Sequence, residues 1–213
     1  MNISVIGAGP MGRATAHLFA RAGETVQLAD RCGDRAVRAA ADAGAGAVGK
    51  VVAGDVESAL RAELITLALG ADDVLAFVGE HSSALAGKIL IDTTNPVEAA
   101  GALPERSGAA SMTELIAEAA PRAFVVKAFN TSCAATLFSG RLDGAHLDVF
   151  VAGDDYEAKI PVIELIDRAG LRGLDAGDLH NARVLEQMAL LCIELIDRLG
   201  LGRNAGLKLL PDG

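Results

Sequence analysis

Tryptophan is absent from the 213 residues, tyrosine occurs once, at Tyr156, and all aromatics together make up only 3% of the chain. A flat heterocyclic partner must therefore rest on aliphatic side chains, on a phenylalanine or on a second bound ring. Cysteine is scarce as well. Cys32, Cys133 and Cys192 are odd in number, far apart and without a Cys-x-x-Cys pair, which argues against both a disulfide framework and a zinc site. His17, His81, His146 and His180 show no ligand spacing, so no metal is expected. There is no basic excess either. The net charge is −9 and the isoelectric point is near 4.9, which excludes nucleic acid and anionic membranes as natural partners. No apolar run reaches the roughly 18 to 20 residues of a membrane span. The first strand pattern begins at residue 2 and leaves no room for a signal peptide, so a cytoplasmic location is expected.

Apolar residues and glycine are abundant. Hydrophobic residues make up 51% of the chain, enough for a full core in one large domain or a domain with an appendage. Asn2 to Ile6 is a β-branched run of the kind found in buried parallel strands. Gly7-Ala8-Gly9-Pro10-Met11-Gly12 follows at once, and Arg13 to Ala22 reads as a helix. Strand, Gly-x-Gly-x-x-Gly, helix is the context in which this motif binds a dinucleotide. The first glycine permits the tight turn, the second lets backbone approach a pyrophosphate, and the third lets helix pack on strand. The phosphates would rest on the unpaired N–H groups of the helix N-terminus. A second strand, Thr25 to Ala29, ends in Asp30, about 20 residues beyond the glycines, where an adenosine ribose would lie. NAD(H) or NADP(H) is the expected ligand.

Strands and helices alternate along the rest of the chain. Helices are expected at 33–43, 56–61, 72–80 and 156–169, and strands at 47–52, 63–69, 88–92, 123–129, 147–152 and 171–174. Ser111-Met112-Thr113-Glu114 has the form of a capping box and opens a helix to about Ala119. Residues 97–108 read as an irregular loop, and 178–199 as one long amphipathic helix. On that helix Val184, Leu185, Met188, Leu191, Cys192 and Leu195 form an apolar side that packs on the sheet, closes the cleft or makes a homodimer. The pattern predicts an α/β fold: a doubly wound parallel sheet with a small C-terminal α/β extension ending in the long helix. We divide it into a dinucleotide-binding part, 1–140, and an extension, 141–213, that continues the sheet and closes the cleft.

Three blocks carry a family resemblance: Ile6 to Gly12, then Ile91-Asp92-Thr93-Thr94-Asn95-Pro96, then Val125-Val126-Lys127-Ala128-Phe129-Asn130-Thr131. Val151 to Asp155 and Leu174 to Leu179 add to them, followed by Ala182 to Glu186. In order and spacing the chain resembles the deazaflavin-dependent NADP oxidoreductase family, whose members pass hydride between NADP(H) and the 8-hydroxy-5-deazaflavin coenzyme. The cytosolic domain of the six-transmembrane metalloreductases is similar too. The resemblance implies a Rossmann fold and a cytosolic oxidoreductase moving hydride between NAD(P)H and a deazaflavin, or a flavin such as FMN. It also implies that the glycine turn wraps the pyrophosphate and that Leu69 and Gly70 lie along the cofactor. Asn95, Pro96, Ala128, Phe129 and Asn130 would border the nicotinamide and a small-molecule acceptor. Lys127 and Asn130 are then the candidate catalytic residues, Lys127 as a charge or proton source or else as a strand-end lysine reaching solvent.

Arg31 and Arg35 fit a clamp on a 2′-phosphate, whereas Asp30 suits free ribose hydroxyls and repels a phosphate. The sequence thus leaves NAD against NADP open. Asn130 stands where deazaflavin-binding members often carry histidine, which leaves the acceptor open as well. Two other readings stay in view, a non-catalytic NAD(P)H sensor and a reductase of another small substrate. Hydride transfer needs no covalent nucleophile, and the chain shows no Ser-His-Asp or Cys-His constellation.

Overall fold

Six parallel strands form the centre of the computed structural model, which describes residues 1–96, 110–202 and 204–210. They are β1 (Ile3–Ile6), β2 (Thr25–Ala29), β3 (Lys50–Gly54), β4 (Leu64–Leu67), β5 (Ile89–Asp92) and β6 (Phe124–Lys127). Their order is β3-β2-β1-β4-β5-β6, so the chain reverses direction across the sheet between β1 and β4. That reversal opens a crevice at the carboxyl ends of the two strands. The expected doubly wound sheet is present.

Helices cover both faces. On one lie α1 (Pro10–Arg21), α2 (Gly33–Gly44), α6 (Ala134–Ser139) and α7 (Tyr156–Arg168). On the other lie α3 (Val56–Ala59), α4 (Ala71–His81) and α5 (Met112–Ala119). Strand alternation divides the core between them: Ile3 and Val5 of β1 point to the first face and Ile6 to the second. The buried face of α2 is all alanine (Ala36, Ala39, Ala40, Ala43), and side chains this small let the helix lie close on the sheet. The helix α5 opens on the expected capping box between Ser111 and Glu114.

Several boundaries differ from the sequence expectation, each for a local reason. The third strand starts at Lys50 rather than at residue 47, because Gly46 takes a left-handed turn and Gly49 sits where a Cβ would strike the Glu24 carbonyl. The strand expected at 123–129 stops at Lys127, since Phe129 adopts a positive φ of 66°. The long helix is a 3-10 turn, Leu179–Asn181, followed by α8 (Ala182–Leu199). The loop expected at 97–108 lies outside the described residues. Helix α6 and the hairpin of β7 (Arg141–Leu142) and β8 (Ala145–His146) were not foreseen. Asp143 and Gly144 both have positive φ at its tip, so this Asp-Gly pair was the overlooked hairpin signal.

Beyond the hairpin, β9 (Asp148–Val151) and β10 (Arg172–Asp175) make a separate two-stranded parallel sheet. It meets the main sheet at one antiparallel bridge between Lys127 and Ala152. Leu147, Val149, Val151, Val162 and Leu165 join the core built on α1. The apolar residues of α8 split between two sides: Leu185, Ala189, Leu190 and Ile196 are buried, whereas Val184, Leu191, Leu195 and Leu199 are exposed.

Candidate functional site

At the crevice, a cleft of about 520 Å³ is lined by Gly7, Ala8, Gly9, Asp30, Arg31, Arg35, Leu69 and Gly70, among others. The structure thus brings together the turn, the acid and the two arginines that the sequence singled out. Gly7 (φ 109°) donates its N–H to the Ala29 carbonyl at 2.8 Å, which folds the turn back over β2. A Cβ on Gly7 would lie 2.3 Å from the Ala68 carbonyl oxygen, and one on Gly12 only 1.7 Å from the Gly7 oxygen. These two glycines are demanded by packing. Gly9 is different: nothing lies within 4 Å of its Cβ position. A side chain there would project into empty cleft space, which is the room a pyrophosphate needs. Gly9 is also the N-cap of α1, with Pro10 entering the first turn, so Pro10, Met11 and Gly12 form the helix end that faces this room. The unpaired N–H groups there favour an anion.

Asp30 is buried, and its carboxylate faces the turn. It accepts from the Ala8 N–H at 2.9 Å, the Cys32 N–H at 2.9 Å and the Arg35 guanidinium at 2.6 Å. Burial alone would raise this carboxyl, but the bonds from Arg35, Ala8 and Cys32 outweigh it and hold it below the usual carboxylate range. Arg35 therefore neutralises the acid that would otherwise repel a phosphate. Arg31 is largely exposed at the cleft rim, with Asp73 at 3.9 Å. Val56, Ala76, Phe77, Glu80 and His81 close the outer end of the cleft. Their place at the cleft is not legible from local sequence patterns. Phe77, whose ring lies 4.5 Å from that of His81, is one of only six phenylalanines, and its rarity was the available signal.

The remaining expected site residues gather at the ends of β5 and β6. Asn95 Nδ2 donates to the Asn130 carbonyl at 2.8 Å, and Asn130 Nδ2 donates to Asn95 Oδ1 at 2.9 Å and to the Leu185 carbonyl at 3.0 Å. Pro96 is half-buried beside them, and Ala128 is fully buried. Phe129 follows Ala128 just past the end of β6. Its ring lies in the core, edge-on to Phe19 with centroids 5.9 Å apart, and only its strained backbone turns toward the strand ends.

For Lys127 the structure removes the solvent-reaching alternative. The side chain is wholly buried, and its ammonium donates to Asp92 Oδ2 at 2.9 Å, to Glu186 Oε1 at 2.8 Å and to the Thr94 carbonyl. All three protons are thus engaged, so none is left for a substrate. Glu186 also accepts from the Met112 N–H at 3.3 Å. Burial pushes its carboxyl above the usual range, against the pull of Lys127. The sequence signal was Glu186 itself, which sits among Ala182, Leu185 and Ala189 on the buried face of α8.

Beside this network Arg183 grips both oxygens of Glu114 at 2.7 Å. Arg183 hydrogen bonds, with help from Ser111 and against the cost of burial, hold the Glu114 carboxyl at about 2. A carboxyl lowered on folding adds stability above its unfolded value of about 4.3, and that contribution is lost as the pH falls toward 2. An Arg183→Gln variant should therefore melt below the wild type at neutral pH, with the gap closing between about pH 4.5 and 2. Thermal unfolding across that range checks it; a gap independent of pH would show that the ion pair contributes nothing.

Among the described residues no His, Cys, Asp and Glu cluster could hold a metal, and no helix is long and apolar enough to cross a membrane. Strand order, glycine turn and cleft define an α/β protein of the dinucleotide-binding class. Comparison with known proteins narrows the class to a family. The family model for coenzyme F420-dependent NADP oxidoreductases matches residues 2–96. The F420-dependent NADP reductase of Methanothermobacter marburgensis is 31% identical over an alignment covering 98% of both chains. A candidate F420-dependent NADP-reductase of Arthrobacter sp. FB24 has the same fold, with a TM-score of 0.81 at 30% identity over 99% of this chain and 100% of that one. The chain belongs to the family of coenzyme F420-dependent NADP oxidoreductases and is an NADP-dependent oxidoreductase. Metalloreductase STEAP3 of Rattus norvegicus is 41% identical over 106 residues, which are 50% of this chain but only 21% of that protein.

Proposed function

We propose that the protein transfers hydride between NADP(H) and a deazaflavin coenzyme of the F420 type. Family membership over the whole chain length supports this, and the observation that carries the nucleotide half is the empty room above Gly9 at the N-terminus of α1. Gly7 to Gly12 hold the pyrophosphate, and Leu69 and Gly70 flank the cofactor. Arg31 and Arg35 hold the 2′-phosphate, with Asp30 neutralised beneath them. Asn95, Pro96, Ala128, Phe129 and Asn130 form the floor at the nicotinamide end, Phe129 through backbone only. Asn130 is the residue assigned to contact the reacting ring, whereas Lys127, its protons engaged, acts through its neighbours. The reduced nicotinamide supplies the hydride; the chain supplies alignment and exclusion of water.

Residues 1–140 serve as the nucleotide-binding part and 141–213 as the extension that closes the cleft. Cys32 and Cys192 are free thiols, which suits the reducing cytoplasm to which we assign the reaction. The exposed Val184, Leu191, Leu195 and Leu199 on α8 support a homodimer through that face. Purified protein mixed with NADPH and either F420 or FMN tests the assignment. Loss of the near-ultraviolet absorbance of NADPH is expected with F420 and slower with FMN. NADPH that binds and is consumed with neither acceptor would support a sensor instead.

A further inference from the structure

Asp92, Lys127 and Glu186 form a buried charged triad that joins three separate elements. Asp92 and Lys127 are register partners on β5 and β6, and Glu186 comes from the second turn of α8. Asp92 accepts the Lys127 ammonium, the Thr113 hydroxyl at 2.7 Å and the Thr94 N–H at 2.9 Å. Every triad member therefore stands next to a part of the strand-end site. Asn95 lies three residues past Asp92, Asn130 three past Lys127, and the Leu185 carbonyl that holds the Asn130 amide directly precedes Glu186. Lys127 also grips the Thr94 carbonyl.

Among the described residues three buried side-chain polar atoms lack a partner: Asn130 Oδ1 and Thr94 Oγ1 at these strand ends, and Thr66 Oγ1 on β4. Buried polar groups without partners are costly and uncommon. Of the two at the strand ends, one is an acceptor and the other carries a hydroxyl proton, the two kinds of group that the N–H and the carbonyl of a carboxamide take as partners. Asn130 cannot rotate to satisfy itself, because its amide nitrogen is held by both Asn95 and Leu185.

We infer that Glu186 and Lys127 are positioning residues that fix Asn130 and Thr94 to read the carboxamide of a nicotinamide ring. This rests on the dinucleotide reading above. The triad touches no substrate. It holds α8 and the ends of β5 and β6 in one register, and with them the side chains of Asn130 and Thr94. The adenosine half of the cleft, built from β1, β2 and β4, shares none of these bonds. Loss of the triad should therefore weaken recognition of the ring while sparing recognition of the rest.

Two ligands separate these effects: NADPH, and 2′-phospho-ADP-ribose, which lacks the ring. Glu186→Leu leaves Lys127 and Asp92 as a neutral pair and should fold. Lys127→Met leaves two buried carboxylates facing each other and is the variant at risk of unfolding. Calorimetric titration of the wild type should show tighter binding of NADPH than of the fragment. Glu186→Leu should bind NADPH about tenfold more weakly and the fragment as the wild type does. Glu186→Gln, which keeps a bond to Lys127, should recover most of the difference. Parallel loss of both ligands, no change in either, or a wild type that binds the two equally would overturn the inference. A wild type that binds neither ligand would instead remove the dinucleotide reading, and this inference with it.

Discussion

A Gly9→Val variant should keep the fold and lose the nucleotide. Gly9 has φ −73° and ψ −175°, extended backbone that any residue adopts, and a Cβ there meets nothing within 4 Å. Gly9 makes no side-chain cap, so valine at the N-cap costs at most about 1 kcal/mol of stability. Its methyl groups would enter the space in which a pyrophosphate meets the first-turn N–H groups of α1. Those bonds are charge-assisted and worth about 1.5–3 kcal/mol each. Affinity for both NADPH and NADH should fall by about a hundredfold, equivalent to about 2.7 kcal/mol. Fluorescence titration beside thermal unfolding reads both halves. Wild-type affinity in a folded variant would place the pyrophosphate elsewhere.

Arg35→Ala should reverse the preference between the two nucleotides. In the native protein Arg35 reaches Asp30 at 2.6 Å while its side chain stays half exposed at the cleft rim. Its removal takes away one cation from the 2′-phosphate and at the same time uncovers a buried carboxylate beside it. Charge-assisted bonds from an arginine to a phosphate are among the strong ones, so the loss falls chiefly on the phosphorylated nucleotide. NADPH binding should weaken by about a hundredfold or slightly less. NADH has no 2′-phosphate to be repelled, and its affinity should change by about twofold at most. Parallel loss of both would show that Arg35 supports only the fold. Equal retention of both would leave the phosphate to Arg31 alone.

The sequence made the first half of the site legible and the second half only in outline. A Gly-x-Gly-x-x-Gly turn, a β-branched strand before it and an acid after β2 are local signals, and each lies where expected. What the sequence could not show is the direction in which Asp30 points. Its carboxylate turns to Ala8, Cys32 and Arg35, so the acid that suggested NAD is already neutralised. The sequence leaves Lys127 between a charge at the site and a solvent-reaching lysine for a related reason. A lysine at a strand end usually reaches water, and only the return of α8 across the end of β6 supplies the Glu186 that keeps it buried. The partners lie 59 residues apart, beyond any periodicity. The place of the Phe129 ring is set by a backbone event that sequence does not show, a positive φ with the ring in the core. Helix α8 was found, but its two apolar sides were read as one.

The most direct test of the central claim follows the hydride itself. NADPH deuterated at C4, on either face in separate reactions, is mixed with the protein and F420, and the reduced deazaflavin is weighed by mass spectrometry. A deazaflavin accepts hydride at carbon, where the label does not exchange with water. Reduced F420 heavier by one mass unit from one face and unlabelled from the other is the predicted result. F420 left oxidised in the presence of bound NADPH, or reduced without label from either face, would contradict direct transfer between the two rings.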